Sequence, residues 1–460
     1  MLVPDLAVIR IIGWRSTGSE TRPRSIQLNG ISERNQEHTP ADNSTAHEVI
    51  RFEEGDMTQR TRRGFLKLGA VLGPTFAALQ PSVLFGQLQD VARTLGRGVS
   101  AYGTRSRFET VVRLLRDSQH PEASSSRTPL QDLHGTITPS ALHFERHHAG
   151  VPDIDPSTHR LLIHGLVDRP MEFSLDDLER MLTVSRTYSL ECSGNSGALW
   201  REAGATTAQS THGLTSCSEW VGVPLSLLLQ EVGVRPNATW LVAEGADASR
   251  LNRSLPLTKA LDNTLVAFGQ NGEALRPAQG YPLRLFVPGW EGNISVKWLR
   301  RIELVDQPYM TREETSKYTD LLPDGNARQF TFVMEAKSVI THPSGGQQLS
   351  SLGSHQIEGI AWSGRGRVDR VEVSTNGGED WHRAELQTPI LPLAHTRFRF
   401  NWTWDGRETV LQSRCIDETG YTQPTRDALI AARGLQSGYH NNAIQSWKVA
   451  ADGTVENVYV

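Results

Sequence analysis

Cysteine is scarce in these 460 residues: Cys192, Cys217 and Cys415 are the only ones. Three thiols cannot build a disulfide framework, and an odd number leaves at least one unpaired. No Cys-x-x-Cys-His occurs, so the chain attaches no c-type haem, and no zinc-type ligand spacing is present. Strong charge of one sign is also missing. The formal net charge is −4, which gives no reason to expect a nucleic-acid partner. No apolar run is long enough for a membrane span. What is there, including 11 Trp and 40 Gly, fits a loop-rich globular enzyme. The length suffices for two or three domains with full cores.

The amino-terminal part reads as an address. Thr61-Arg62-Arg63-Gly64-Phe65-Leu66-Lys67 has the form of a twin-arginine export motif, and the mildly apolar run Leu68 to Leu79 follows it. That charged-then-apolar order is a signal peptide's, expected over 57–88. It predicts a periplasmic protein exported folded, which suits a cofactor inserted before export. Residues 1–56 are polar and aperiodic, and are read as a disordered or mis-assigned upstream segment, with Met57 as the true start.

An extended arm is expected over 89–128, with a short helical patch from Phe108 to Leu115. From 129 to 325 strands and short helices alternate, predicting an α+β domain. Arg160 to Val167 reads as a buried strand, and Ser174 as the cap of a helix. Thr187 to Glu191 reads as a strand, Pro224 to Val232 as a helix and Trp240 to Ala243 as a strand. Two more strands, Tyr281 to Val287 and Val296 to Val305, flank a turn. From 326 to 460 the texture is all-β. Phe398, Phe400, Trp402 and Trp404 alternate with polar residues, and Asn376-Gly377-Gly378 supplies a hairpin turn. An immunoglobulin-like sandwich is expected there.

The segment Ser189-Leu190-Glu191-Cys192-Ser193-Gly194-Asn195-Ser196-Gly197 brings a thiol to the end of an apolar strand, before a tight polar turn. Such a junction can present a thiolate to a metal or substrate. A buried structural cysteine is the plain alternative there, and it is the favoured reading for Cys217 and Cys415.

Several segments together resemble the sulfite oxidase family of molybdopterin enzymes. They are the cysteine loop, Arg146-x-His148 with Val151-Pro152, and Gly213-x-x-Ser216-x-x-x-Trp220-x-Gly222. Leu255-Pro256-Leu257, Asn271-Gly272-Glu273 and Val296-Lys297-Trp298-Leu299 follow in order. Within the family, the cysteine loop, Ser216 to Trp220 and Tyr439 to Trp447 look like the molybdenum subunits of bacterial sulfite/sulfane dehydrogenases. The resemblance covers roughly residues 130–450. It implies a molybdopterin-binding domain followed by a dimerisation domain.

It also implies chemistry. Cys192 would ligate molybdenum beside the dithiolene of molybdopterin, a soft ligand for that metal. The reaction would be oxo transfer from molybdenum to sulfur, with electrons passed singly to a c-type cytochrome subunit, since this chain has no haem of its own. A sulfur-carrier protein is a further expected partner, and a homodimer or heterotetramer the expected assembly. Arg146 matches the family's substrate-pocket arginine, able to hold an oxyanion bidentately. His148, Ser216, Arg253, Ser295 and Lys297 are the expected contacts to the cofactor, and Arg397 or Arg399 could add a pocket arginine.

Two departures stand out. Ser196 and Gly197 occupy positions where sulfite oxidases carry arginines, which predicts weaker capture of a small dianion and a less crowded site. The family's pocket tyrosine falls at Phe268, which would remove a hydroxyl. Two other readings stay open. One is a periplasmic sulfoxide reductase of the same fold, to be recognised by turnover of a sulfoxide with a low-potential donor. The other is a cofactor-free binding protein, to be recognised by the absence of molybdenum.

Overall fold

The computed structural model describes residues 95–201 and 206–459. The expected upstream segment, signal peptide and twin-arginine motif lie outside the described residues. Residues from Tyr102 onward form one compact unit. Among the described residues no helix is long and apolar enough to cross a membrane.

The Phe108–Leu115 patch is not helical; only Leu114–Leu115 has regular structure, and it is a strand. The reason is packing. Phe108, Val112 and Leu115 are all exposed, so a helix there would bury no apolar face, and short helices depend on one. Instead Leu114–Leu115 pairs with Ser125–Arg127, which pairs in turn with Glu145–Arg146. This small sheet fixes the backbone of Arg146.

Two five-stranded sheets follow. In the first, Val184–Glu191 pairs with Thr215–Pro224, which pairs with Leu265–Gln270; Glu273–Ala274 and Arg284–Phe286 complete it. In the second, Leu299–Val305 lies between Leu161–Gly165, to which it runs parallel, and Trp240–Gly245; Met171–Phe173 and Asn252–Pro256 form the edges. Leu161, Ile163, Leu241, Leu285 and Ile302 share one core with the apolar face of the helix Leu225–Val232. The helix Leu175–Glu179 begins on the expected Ser174 cap. Its hydroxyl accepts from the Asp177 N–H while Asp177 reaches back to the Ser174 N–H.

The carboxyl-terminal part is a β-sandwich. One sheet holds Lys337–His342, Gly353–Trp362, Thr396–Trp404 and Glu385–Leu386. The other holds His382–Arg383, Val368–Ser374, Thr409–Asp417, Ser446–Val449 and Val455–Val458. Ile357, Ile360 and Phe398 from one sheet meet Val371, Leu411, Cys415 and Trp447 from the other in a second core. The period-2 alternation noted in the sequence produces this inward face. Cys217 and Cys415 are fully buried, and burial pushes the Cys217 thiol up to about 12 and Cys415 higher still. They are inert packing groups.

Candidate active site

The strand Val184–Glu191 ends where Cys192 begins a tight turn. The Cys192 N–H donates to Leu214 O at 3.0 Å, and its own carbonyl accepts from the Asn195 N–H at 2.8 Å. Asn195 holds the turn from inside: its amide donates to Glu191 Oε1 at 2.9 Å and its carbonyl accepts from the Leu214 N–H at 3.1 Å. Ser196 follows at φ 62°, a left-handed conformation that a serine adopts only under constraint. Gly292 runs beside this strand end, its N–H donating to Glu191 O at 2.7 Å. A Cβ on Gly292 would come within 2.8 Å of that carbonyl, so only glycine permits the approach. Burial raises the Cys192 thiol pKa, against the opposing pull of the Gly194 N–H and the Arg146 cation.

Cys192 opens into a cavity in the protein surface. Arg146, His148, Ser295 and Lys297 line it, as do His147, Asp247, Arg284, Asn293 and Tyr318. The cavity lining carries three Lys or Arg side chains and two histidines against one carboxylate, Asp247. Lys297 donates to Arg146 O and Ala278 O, each at 3.1 Å, and to His147 Nδ1 at 2.7 Å. His147 in turn meets Glu145 Oε2 through Nε2 at 3.0 Å. Burial, with Arg284 nearby, holds the Lys297 pKa well below its ordinary value. His148 sits 2.9 Å from the Tyr318 hydroxyl through Nε2. Burial and the nearby cations push its pKa down to about 3, so its ring is neutral at neutral pH.

Arg284 was not anticipated from the sequence. It lies on the short apolar strand Arg284–Phe286 and is 3% exposed. Its guanidinium donates to Gln279 O and Ser295 O, its Nε has no partner, and it forms no ion pair among the described residues. Burial alone lowers its pKa to about 9. A buried cation without a counter-ion is costly, and an anion in the cavity would relieve it. Among the described residues no group of three His, Cys, Asp or Glu side chains could hold a metal. An ion on Cys192 would therefore need further ligands from a non-protein group. A soft thiolate beside a cationic pocket fits molybdopterin on both counts: dithiolene sulfurs to complete the metal's ligands, and a phosphate to meet Arg284.

The remaining expected residues lie elsewhere. Ser216 is fully buried outside the lining; its Oγ accepts from the Phe144 N–H at 3.1 Å and lies 2.6 Å from Thr128 Oγ1. Arg253 is also outside the lining, its guanidinium paired with Glu291 at 3.2 Å and Glu314 at 3.5 Å. Both brace neighbours of the cavity. Neither candidate from the sandwich reaches it. Arg397 donates to the carbonyls of Leu133 and Gly135, and Arg399 pairs with Glu385. Phe268 packs partly buried against the first core, away from the cavity. A different hydroxyl, that of Tyr318, is among the groups lining the cavity. Neither Ser196 nor Gly197 lines the cavity, and a Cβ on Gly197 would lie 3.0 Å from Gly438 O, in the carboxyl-terminal segment.

Four of the non-glycine residues with positive φ gather here: Ser196, Trp298, Tyr318 and His440. Backbone strain of this kind concentrates at functional sites.

Comparison with known proteins gives a consistent result. Residues 148–313 match the oxidoreductase molybdopterin binding domain, and residues 328–447 match the Mo-co oxidoreductase dimerisation domain. Mitochondrial sulfite oxidase of Rattus norvegicus is 32% identical over 349 residues, covering 67% of this chain and 61% of its own length. An NADH nitrate reductase of Ulva prolifera is 30% identical over 376 residues, covering 69% of this chain and 41% of its own length. The chain thus spans about half the length of these relatives. A chain in the crystal structure of the sulfane dehydrogenase SoxCD from Paracoccus pantotrophus is 49% identical, with a TM-score of 0.80, over 83% of this chain and 100% of that one.

Proposed function

This chain belongs to the sulfite oxidase family of molybdopterin oxidoreductases, and from that membership we propose that it is a periplasmic molybdenum-dependent dehydrogenase of sulfite or sulfane sulfur. The observation that carries the reading is the 49% identity to a sulfane dehydrogenase chain across all of that chain's length. Bound molybdopterin would supply a redox centre for oxygen-atom transfer to sulfur, with water as the oxygen source. Electrons would leave singly to a separate c-type cytochrome subunit.

The chain's own residues have distinct tasks in this scheme. Cys192 would ligate the metal, and Arg284, Lys297 and Ser295 would hold the anionic end of the cofactor. Arg146 would orient an oxyanion or persulfide at the mouth of the site. At present its Nη1 donates to the carbonyls of Ala123 and His147, neutral acceptors that an anion can outbid. Tyr318, hydrogen-bonded to a neutral His148, offers a hydroxyl to the substrate without adding charge. Trp298 and Val296 are buried and form part of the cavity's apolar lining. The motif Thr61 to Lys67 supports export through the twin-arginine pathway, which would deliver the enzyme already loaded.

The decisive test is turnover by the molybdenum-loaded protein with a cytochrome c acceptor. Oxidation of sulfite or of a persulfidated carrier protein is expected. No turnover of either, in protein shown to contain about one molybdenum per chain, would overturn the reading.

A further inference from the structure

The turn that carries Cys192 is held largely from the carboxyl-terminal sandwich. Glu191, the residue before the cysteine, is 3% exposed. Its Oε1 accepts from Lys337 Nζ at 2.6 Å and from Asn195 Nδ2 at 2.9 Å, and its Oε2 accepts from Trp362 Nε1 at 2.6 Å. Lys337 and Trp362 are each 1% exposed. They are direct cross-strand partners in the sandwich, Lys337 on Lys337–His342 and Trp362 on Gly353–Trp362. Opposed residues of an antiparallel pair stand close together, so an ammonium and an indole N–H are presented side by side, one to each oxygen of a single carboxylate. A second hold comes from His440, whose backbone N–H donates to Ser193 O at 2.8 Å on the other side of the cysteine.

We propose that Lys337 and Trp362 are positioning residues for the metal-ligating turn, acting through Glu191, so that the sandwich forms part of the redox site. This rests on the reading of Cys192 as the metal ligand. Two arguments support it. Both carboxylate oxygens are fixed from outside the turn's own domain, so Glu191 can neither rotate nor shift, and the thiol one residue on inherits that position. A buried ion pair is also poorly explained by stability alone, because apolar residues of similar volume commonly hold a fold as well or better. The retained charges are accounted for by the directional restraint they impose.

The test compares full-length wild type with Lys337→Met, with Trp362→Phe and with the double variant Glu191→Met/Lys337→Met. Metal-free protein is treated with iodoacetamide and the rate of Cys192 alkylation is read by peptide mass spectrometry; molybdenum content is measured in protein from the native host. Lys337→Met is expected to speed alkylation by about tenfold, the order carried by a lost charge-assisted hydrogen bond, and to lower molybdenum content. Trp362→Phe should act in the same direction and less strongly. The double variant removes both charges but leaves the Trp362 and Asn195 donors without their acceptor, so its melting temperature should lie above that of Lys337→Met and below that of wild type, while alkylation stays fast and molybdenum low. Wild-type alkylation and molybdenum content in the double variant would overturn the proposal, and that variant decides the matter should Lys337→Met fail to fold. If Cys192→Ala retains molybdenum, the metal-ligand reading fails separately, and the alkylation rates still decide whether the sandwich positions the turn.

Discussion

Tyr318 and Glu291 show how single side chains set the behaviour of this site. The Tyr318 hydroxyl lies 2.9 Å from a histidine kept neutral by burial, so the pair should not change its charge state between pH 5 and 9. Tyr318→Phe is expected to lower kcat/KM for the sulfur substrate by about tenfold to a hundredfold, with molybdenum content unchanged; steady-state kinetics beside metal analysis check it. Glu291 concerns stability. Burial alone would raise its carboxyl pKa, but Arg253, with His440 and Asn293, outweighs burial and holds it at about 2. A carboxyl depressed from 4.5 contributes stability that is full above about pH 4.5 and is lost as pH falls toward 2. The contribution is about 3 kcal/mol at neutral pH. Glu291→Gln should therefore be less stable than wild type at pH 7, and its melting temperature should fall less steeply between pH 4.5 and 3. At this scale the sequence exposed the cysteine, Arg146, His148 and Lys297 through their motif context. Arg284 had a signal that went unread: a lone cation inside the apolar run Leu283 to Val287, which burial makes informative. Tyr318 had none, since it stands in an irregular segment that carries no motif.

Among elements, the cysteine strand depends on its neighbour Gly292 more than on its own propensity. Gly292→Ala would press a methyl to 2.8 Å from Glu191 O and shift the strand end. A destabilisation of about 1–3 kcal/mol is expected, with lower molybdenum content; thermal melting and metal analysis measure the two. Elements with strong local logic were legible in advance. Ser174 and Asp177 form their capping box, and the alternating aromatic strand lies at Thr396–Trp404 as expected. The Phe108–Leu115 patch was misread because apolar spacing says nothing about whether a partner surface exists. Arg397 and Arg399 defeated alternation for a related reason. Two residues apart on one strand, they share a face, and only the neighbouring segments decide that Arg397 meets the Leu133 and Gly135 carbonyls while Arg399 meets Glu385.

The whole molecule couples its two cores across the site. Trp447 is fully buried in the sandwich, with its indole N–H donating to Ile340 O at 3.0 Å. Trp447→Ala should cost about 3–5 kcal/mol. Because the cysteine turn rests on the sandwich, it should also lower molybdenum retention at temperatures below the main melting transition, which paired calorimetry and metal release would show. The order of domains was legible because texture changes along the chain. The contacts between them were not, since no local pattern encodes which strand end meets which carboxylate.

The uncompensated guanidinium of Arg284 has a practical consequence for protein that has not received its cofactor. Such protein should bind oxyanions there. Sulfate or phosphate in the buffer should bind the folded form and raise its melting temperature in proportion to RT ln(1 + [L]/Kd), while chloride at equal ionic strength should do so less. Arg284→Met should erase that difference between salts. Cofactor loading would then compete with the commonest oxyanions of the compartment in which insertion takes place.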